Sequence, residues 1–233
     1  MEETKVGDEL LVSPPRNDFK LVKSAAGYIF IAGGIGITPI MSMIRYLKST
    51  GGRFKLYYLT RSPEMTAFRE ELSGPEYRGQ VTIHHDQGDP DRTFDLWPVL
   101  EQPKGQQIYC CGPRALMEAV RDMSGHWSSS AVHFEAFTEP PRATAEDKPF
   151  RVRLARSGDA IDVPVGVTIL EALRLHGVEV PSSCESGTCD TCRTKLLEGE
   201  ADHRDLVLAE HERDNNIMVC VSRARSEELV IDR

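Results

Sequence analysis

Tyr28-Ile-Phe-Ile-Ala-Gly-Gly-Ile-Gly-Ile-Thr-Pro39 is the stretch that decides the fold. A continuous apolar run, a glycine-rich turn and the start of a helical pattern describe a buried strand feeding a helix. Thr38 is a candidate cap for a helix opening at Pro39, and Ile40, Met43, Ile44 and Leu47 recur at helical spacing until Gly51 and Gly52 stop it. Strand, glycine turn and helix N-terminus are also what a pyrophosphate requires, because small residues admit phosphates and free helix amides stabilise their charge. The run is not G-x-G-x-x-G, so spacing alone leaves nucleotide binding at Gly33, Gly34 and Gly36 beside a merely tight turn.

Working outward, further apolar or β-branched runs occur at Phe54 to Thr60, Val81 to Asp86, Gln107 to Cys111 and Ala131 to Phe137. They start roughly every 25 residues, the length of a βα unit with short loops. Pro113 is expected to open a second helix carrying Leu116, Ala119, Val120 and Met123, and Ala67 to Leu72 is a shorter helical pattern. Alternation of this kind predicts an α/β domain over residues 27–137, a parallel sheet covered by helices on both faces.

Within it, Cys111-Gly112-Pro113 repeats the strand-to-helix turn. Cys110 reads as a core residue, whereas Cys111, nearer the turn, is placed to reach a crevice beyond the carboxyl ends of the strands. His84, His85 and His133 alternate with apolar residues and read as structural. Thr60-Arg61-Ser62 ends the second strand, where an Arg accommodates a 2′-phosphate as readily as a ribose diol.

Residues 138–149 hold three prolines and no large apolar side chain, the composition of a linker. Beyond it, residues 150–233 read as a small α+β domain. Phe150 to Ala155 and Ala160 to Val163 form a hairpin through Ser157-Gly158-Asp159, Thr168 and Glu171 make a capping box for a helix ended by Gly177, and Glu228 to Ile231 is a closing strand. Val6 to Arg16 reads as one strand and its exit turn, without a sheet of its own to join.

Net charge is −8 from 28 basic and 36 acidic residues, which argues against nucleic acid or an anionic membrane as partner. No secretory pattern opens the sequence, and no apolar run approaches the ~18 residues of a membrane span. A cytoplasmic protein is expected, whose six cysteines serve metal binding, catalysis or packing rather than disulfides. The segment from Cys184 onward, with twelve acidic and seven basic side chains, carries much of the negative charge; a docking patch and a plain solvated face are both consistent with it.

Cys184, Cys189, Cys192 and Cys220 have the C-x4-C-x2-C…C spacing of plant-type 2Fe-2S ferredoxins. Three thiolates on one loop wrap a cluster and a distant fourth closes the cage, while Gly187 lets the backbone approach. Zinc and unligated core cysteines are the competitors, but structural zinc shows two separated short-spaced pairs.

Gly33-Gly-Ile-Gly-Ile-Thr-Pro39, Tyr109-Cys-Cys-Gly-Pro113, His133-Phe-Glu-Ala-Phe137, Cys184-Glu-Ser-Gly-Thr-Cys189, His203-Arg-Asp and Met218-Val-Cys-Val-Ser-Arg-Ala together resemble the phthalate dioxygenase reductase family, of the ferredoxin-NADP reductase superfamily and close to vanillate demethylase reductases. The resemblance implies a flavin-binding β-barrel, a NAD-binding domain and a β-grasp-like ferredoxin domain in that order. It implies electron flow from NADH, rather than NADPH, through FMN and the 2Fe-2S cluster to a Rieske-type oxygenase. By position, Gly33, Gly34 and Gly36 face the pyrophosphate, and Thr38 lies near flavin and nicotinamide. Cys111, Gly112 and Pro113 border the nicotinamide, and Phe137 lies against the isoalloxazine; Thr60 and Arg61 stay cofactor-binding candidates from their place at the end of the second strand. Cys111 and Thr38 are then the residues nearest the chemistry.

This sequence departs from the family at its start. The barrel's Arg-x-Tyr-Ser-type signature is absent, and only Val6 to Leu21 resembles the barrel's tail, so residues 1–26 are expected to be the end of that domain in a truncated form. Two alternatives follow: a flavin-less 2Fe-2S carrier reduced by another protein, and a redox-sensing interaction protein.

Overall fold

The computed structural model describes residues 5, 7–9, 11, 12, 17–23, 25–137 and 144–233. Five parallel strands, β1 (Tyr28–Gly33), β2 (Phe54–Thr60), β3 (Val81–His85), β4 (Gln107–Cys111) and β5 (Val132–Glu135), form the first sheet in the order β3-β2-β1-β4-β5. Every residue of β1 is buried, as its unbroken apolar run requires of a central strand covered on both faces. Alternation along the strands sorts the side chains. Phe30, Leu56, Tyr58 and Tyr109 meet α1 (Ile37–Thr50) on one face, and Ile29, Ile31, Ile108 and Cys110 meet α3 (Trp97–Leu100) and α4 (Arg114–Met123) on the other.

The order reverses between β1 and β4, so a crevice opens where their carboxyl ends diverge into different helices. Helix α1 begins at Ile37 and not at Pro39. A 3₁₀ turn over Gly34–Gly36 leads directly into it, Gly36 occupies the cap position, and the Thr38 hydroxyl donates back to the Ile35 carbonyl at 3.0 Å. Pro39 then falls within the first turn, where a missing N–H costs no helix bond. Pro113 likewise is the cap of α4, its carbonyl accepting from the Leu116 and Met117 amides. The pattern at 67–72 yields only α2 (Arg69–Leu72), since Phe68 takes φ +56° and delays the helix.

Of the expected N-terminal strand, the described residues among 6–16 form none, and Leu11 and Val12 are exposed; residues 6, 10 and 13–16 lie outside the described residues. Residues 17–23, by contrast, strap onto the α1 face. Phe19 is buried edge-on to Tyr109 at 5.2 Å, the Tyr109 hydroxyl donates to the Lys20 carbonyl and accepts from the Val22 amide, and Tyr28 donates to the Val22 carbonyl at 2.6 Å.

Residues 138–143 of the expected linker lie outside the described residues. The second domain is a mixed sheet in the order β10-β8-β12-β6-β7, made of β6 (Phe150–Leu154), β7 (Ala160–Val163), β8 (Arg193–Glu198), β10 (Asn216–Met218) and β12 (Glu228–Ile231), with a small ladder of β9 (Ala201–Asp202) and β11 (Arg223–Ala224). Helix α5 (Ile169–Leu175) packs Ile169, Leu170, Ala172 and Leu173 into its core. The expected capping box is present: Thr168 accepts from the Glu171 amide at 3.1 Å, and Glu171 accepts from the Thr168 amide at 2.9 Å.

A buried charge network anchors the start of this domain. The Asp147 side chain is 1% exposed, and Arg204 donates to both of its oxygens while Arg223 approaches at 3.5 Å. Arg223 also donates to the carbonyls of Lys148, Pro164 and Val167. These bonds to Arg204 hold the Asp147 carboxyl well below the usual range despite its burial. Removing Asp147 leaves Arg223 buried and short of its counter-charge, so Asp147→Ala is expected to destabilise the second domain by about 3 kcal/mol. Thr168→Ala, which deletes a cap, is expected to cost about 1 kcal/mol. Urea unfolding read by circular dichroism checks both, and equal effects of the two variants would contradict the ranking.

Candidate functional site

At the crevice the loops after β1 and β4 touch backbone to backbone. A Cβ on Gly36 would stand 2.0 Å from the Cys111 carbonyl oxygen, and one on Gly33 would stand 2.6 Å from Pro113 Cδ. A Cβ on Gly112 would in turn stand 2.8 Å from Gly33 Cα. These three glycines are therefore required by the packing of one loop on the other. Gly34 differs, for it takes φ +52° and has open space where a side chain would stand. Of the three glycines expected at the pyrophosphate, Gly34 alone presents its Cα to open space, while Gly33 and Gly36 face the second loop.

Thr38 is exposed at the first turn of α1, on the open side of the crevice. Cys111 is not. Its side chain is fully buried among the residues of the α1 face, and burial, with the nearby charge of Glu135, pushes the thiol up to about 12. The expected reach of Cys111 into the crevice is corrected accordingly: it borders the crevice through its backbone, and its thiol lies in the α1-face core. Cys110 is equally buried on the opposite face, as expected.

Thr60 is buried at the end of β2, its hydroxyl within 2.8 Å of both Thr66 Oγ1 and His85 Nδ1. The expected ribose contact at Thr60 therefore competes with an internal network, whereas Arg61 is exposed. His84 pairs with the Arg92 carbonyl, and His133 pairs with Gln107 and stacks on Tyr109 at 4.4 Å, so all three histidines are structurally engaged. Phe137, just past β5, is exposed beyond the carboxyl end of the sheet, as are Ile35 and Met65 past β1 and β2. All three follow carboxyl ends of strands of the first sheet, the end at which the crevice opens.

The four remaining cysteines converge in the second domain from a loop without regular structure and from the segment after β10. They form two sulfur pairs. Cys184 and Cys189 are in thiol contact, as are Cys192 and Cys220, and the charge of Cys184 is felt at both members of the second pair. Donation from the Cys189 thiol and from the Ser186 amide and hydroxyl holds the Cys184 thiol low against its burial. No three His, Cys, Asp or Glu side chains among the described residues gather closely enough for a single ion. Two pairs of thiolates match two irons taking two protein ligands each, and a tetrahedral zinc, which needs one focus, fits less well.

Gly187 in this loop has φ +74°, and a Cβ there would meet Val221 Cγ2 at 2.7 Å and Asp205 Cα at 3.1 Å. Its carbonyl accepts from the Leu206 amide at 2.8 Å. Asp205 is wholly buried; burial opposes its charge, but His203 and the Leu208 and Val207 amides outweigh that and hold the carboxyl low. Periodicity did not single out these supporting residues, because a loop tied by main-chain bonds leaves no apolar pattern.

Comparisons with known proteins agree with this division. The model of the oxidoreductase NAD-binding domain matches residues 30–122, and that of the 2Fe-2S iron-sulfur cluster binding domain matches residues 152–225. The chain is 56% identical to the phthalate dioxygenase reductase of Burkholderia cepacia over 100% of its own length and 73% of the relative's. It is 53% identical to the phthalate 4,5-dioxygenase oxygenase reductase subunit of Pseudomonas putida, over 99% of this chain and 72% of that one. A solved phthalate dioxygenase reductase structure superposes with a TM-score of 0.65 at 57% identity, covering 95% of this chain and 70% of that one. With a nucleotide crevice at the switch point of one sheet, paired thiols in a second domain and this identity throughout, the chain belongs to the phthalate dioxygenase reductase family, oxidoreductases that move electrons from NADH to a 2Fe-2S cluster.

Proposed function

We propose that this chain takes reducing equivalents from NADH at the β1/β4 crevice and delivers them singly, through a cluster on Cys184, Cys189, Cys192 and Cys220, to a Rieske-type aromatic-ring oxygenase. The observation that carries the reading is the presence in one chain of two halves of a relay: an open glycine turn at a helix N-terminus and two pairs of converging thiols. Several relatives are named as reductase subunits or components of oxygenase systems, which supports an oxygenase as acceptor.

The turn at Gly34 and the unsatisfied amides opening α1 hold the pyrophosphate of the dinucleotide. Thr38, exposed on the same turn, and the Cys111 to Pro113 backbone position the nicotinamide, while Arg61 faces the adenosine ribose. When bound, the flavin of the family supplies the conversion of a two-electron hydride into single electrons, and the 2Fe-2S cluster supplies one-electron storage. In the second domain, Cys184, Cys189, Cys192 and Cys220 would hold the cluster, and the near-complete burial of Cys192 and Cys220 would keep water from that side. Phe137, exposed past β5, is the ring that the family resemblance sets against a flavin, and the described residues form no barrel. No helix among the described residues is long and apolar enough to cross a membrane.

Anaerobically purified protein is expected to show 2Fe-2S absorption bands and, after dithionite, a rhombic EPR signal; Cys220→Ser and Cys184→Ser are each expected to lose most of it. A full signal in either variant would overturn the ligand assignment. Gly36→Ala forces the Cys111 carbonyl aside, so NADH affinity is expected to fall at least roughly tenfold by calorimetry while the cluster signal stays intact. A parent that is reduced by an external ferredoxin reductase, but never by NADH with added FMN, would favour the carrier reading.

A further inference from the structure

The segment 203–206 is bound on every side. On one side it meets α4 of the NAD-binding domain: Arg114 Nη2 donates to the Arg204 carbonyl at 2.5 Å, and Arg121 Nη1 donates to the Asp205 carbonyl at 3.4 Å. Leu206, 4% exposed, belongs to the core cluster of that domain together with Met117, Val120 and Trp127, although it lies in the second domain by sequence. On the other side, the Leu206 amide is the donor to Gly187 in the cysteine loop, and the Arg204 amide donates to the buried Ser222 hydroxyl, two residues past Cys220. The Arg204 guanidinium meanwhile grips Asp147, a buried carboxylate near the end of the linker.

We propose that residues 203–206 are the joint that fixes the cysteine loop at a set distance from the nucleotide crevice, with Arg114, Arg121 and Leu206 as positioning residues for electron transfer between the domains. The inference rests on the proposed cluster and nucleotide sites. Arg114 directly follows Cys111-Gly112-Pro113 at the crevice, so a single short helix links the crevice to the segment that buttresses the cysteine loop. Across the joint both arginines donate to main-chain oxygens, while their ion pairs with Glu118 and Asp122 stay within α4, so what they hold in the second domain is backbone position. An apolar plug with two flanking donors is a rigid attachment, unlike the polar and mobile contact usual between domains of one chain.

A distance measurement tests this. Ser49→Cys on α1, on the sheet face opposite α4, takes a maleimide-linked Gd(III) chelate, a spin label that dithionite does not reduce, while the fully buried Cys110 and Cys111 are protected from it. Pulsed EPR between the label and the dithionite-reduced cluster is then recorded in the parent, in Leu206→Ala, in the double variant Arg114→Gln with Arg121→Gln, and in Arg151→Gln as a control on the far surface. Parent and control are expected to give one narrow distance; Leu206→Ala and the double variant are expected to give a broad distribution. At equal FMN, both joint variants are expected to pass electrons from NADH to the cluster roughly tenfold more slowly, with the cluster g-values and midpoint potential unchanged. An unchanged narrow distance in both joint variants overturns the joint. So does a change in g-values or potential that accompanies the slower rate, since the segment would then be tuning the cluster. Absence of any cluster signal in the parent overturns the site assignment itself, and the joint falls with it.

Discussion

The contact of two loop backbones at the end of the first sheet is the constraint from which the rest follows. Because Gly36 lies against the Cys111 carbonyl and Gly33 against Gly112 and Pro113, β1 and β4 end level and their helices diverge at once. That divergence opens the crevice, and it also fixes where α4 starts. Helix α4 then carries Arg114, Met117, Val120 and Arg121 to the second domain, so the same glycines that shape the nucleotide turn set the position of the surface on which the cysteine loop is buttressed.

The second domain meets a different demand, that of holding an irregular loop with four sulfurs near one another. Regular structure cannot supply this, and the loop is instead braced by main-chain bonds and buried polar groups. Gly187 fits between Val221 and Asp205, Asp205 accepts two amides of its own turn at Oδ2 while His203 Nδ1 stands 3.7 Å from Oδ1, and the Asp147, Arg204 and Arg223 network anchors the strand ends nearby. Such networks are a sensitive kind of support, because each partner becomes a liability when the other is lost.

Much of this was legible from residue order alone. The parallel sheet follows from unbroken apolar runs such as Tyr28 to Ala32 followed by glycine turns, and the α5 capping box from Thr168 and Glu171, both local signals. The cysteine spacing pointed to a cluster because ligand geometry dictates it. What residue order concealed was directional or long-range. Cys111 stands at a strand end, but the strand alternation turns its thiol into the α1-face core. Thr38 reads as a cap in the sequence because a 3₁₀ turn ahead of the helix leaves no mark in apolar spacing. β8 and β10 were not anticipated because they sit among charged and loop-forming residues, and Leu206 contributes to a core whose other members lie far back in the chain.

The central claim, that hydride electrons entering at the β1/β4 crevice leave one at a time through the paired cysteines, is tested most directly by an anaerobic NADH titration with FMN present and cluster spins counted by EPR. With FMN at a trace level relative to the chain, so that it carries electrons without storing a counted share, the account predicts that each NADH oxidised reduces the clusters of two chains. A chain whose cluster is reduced by dithionite but stays oxidised at any NADH concentration would contradict it.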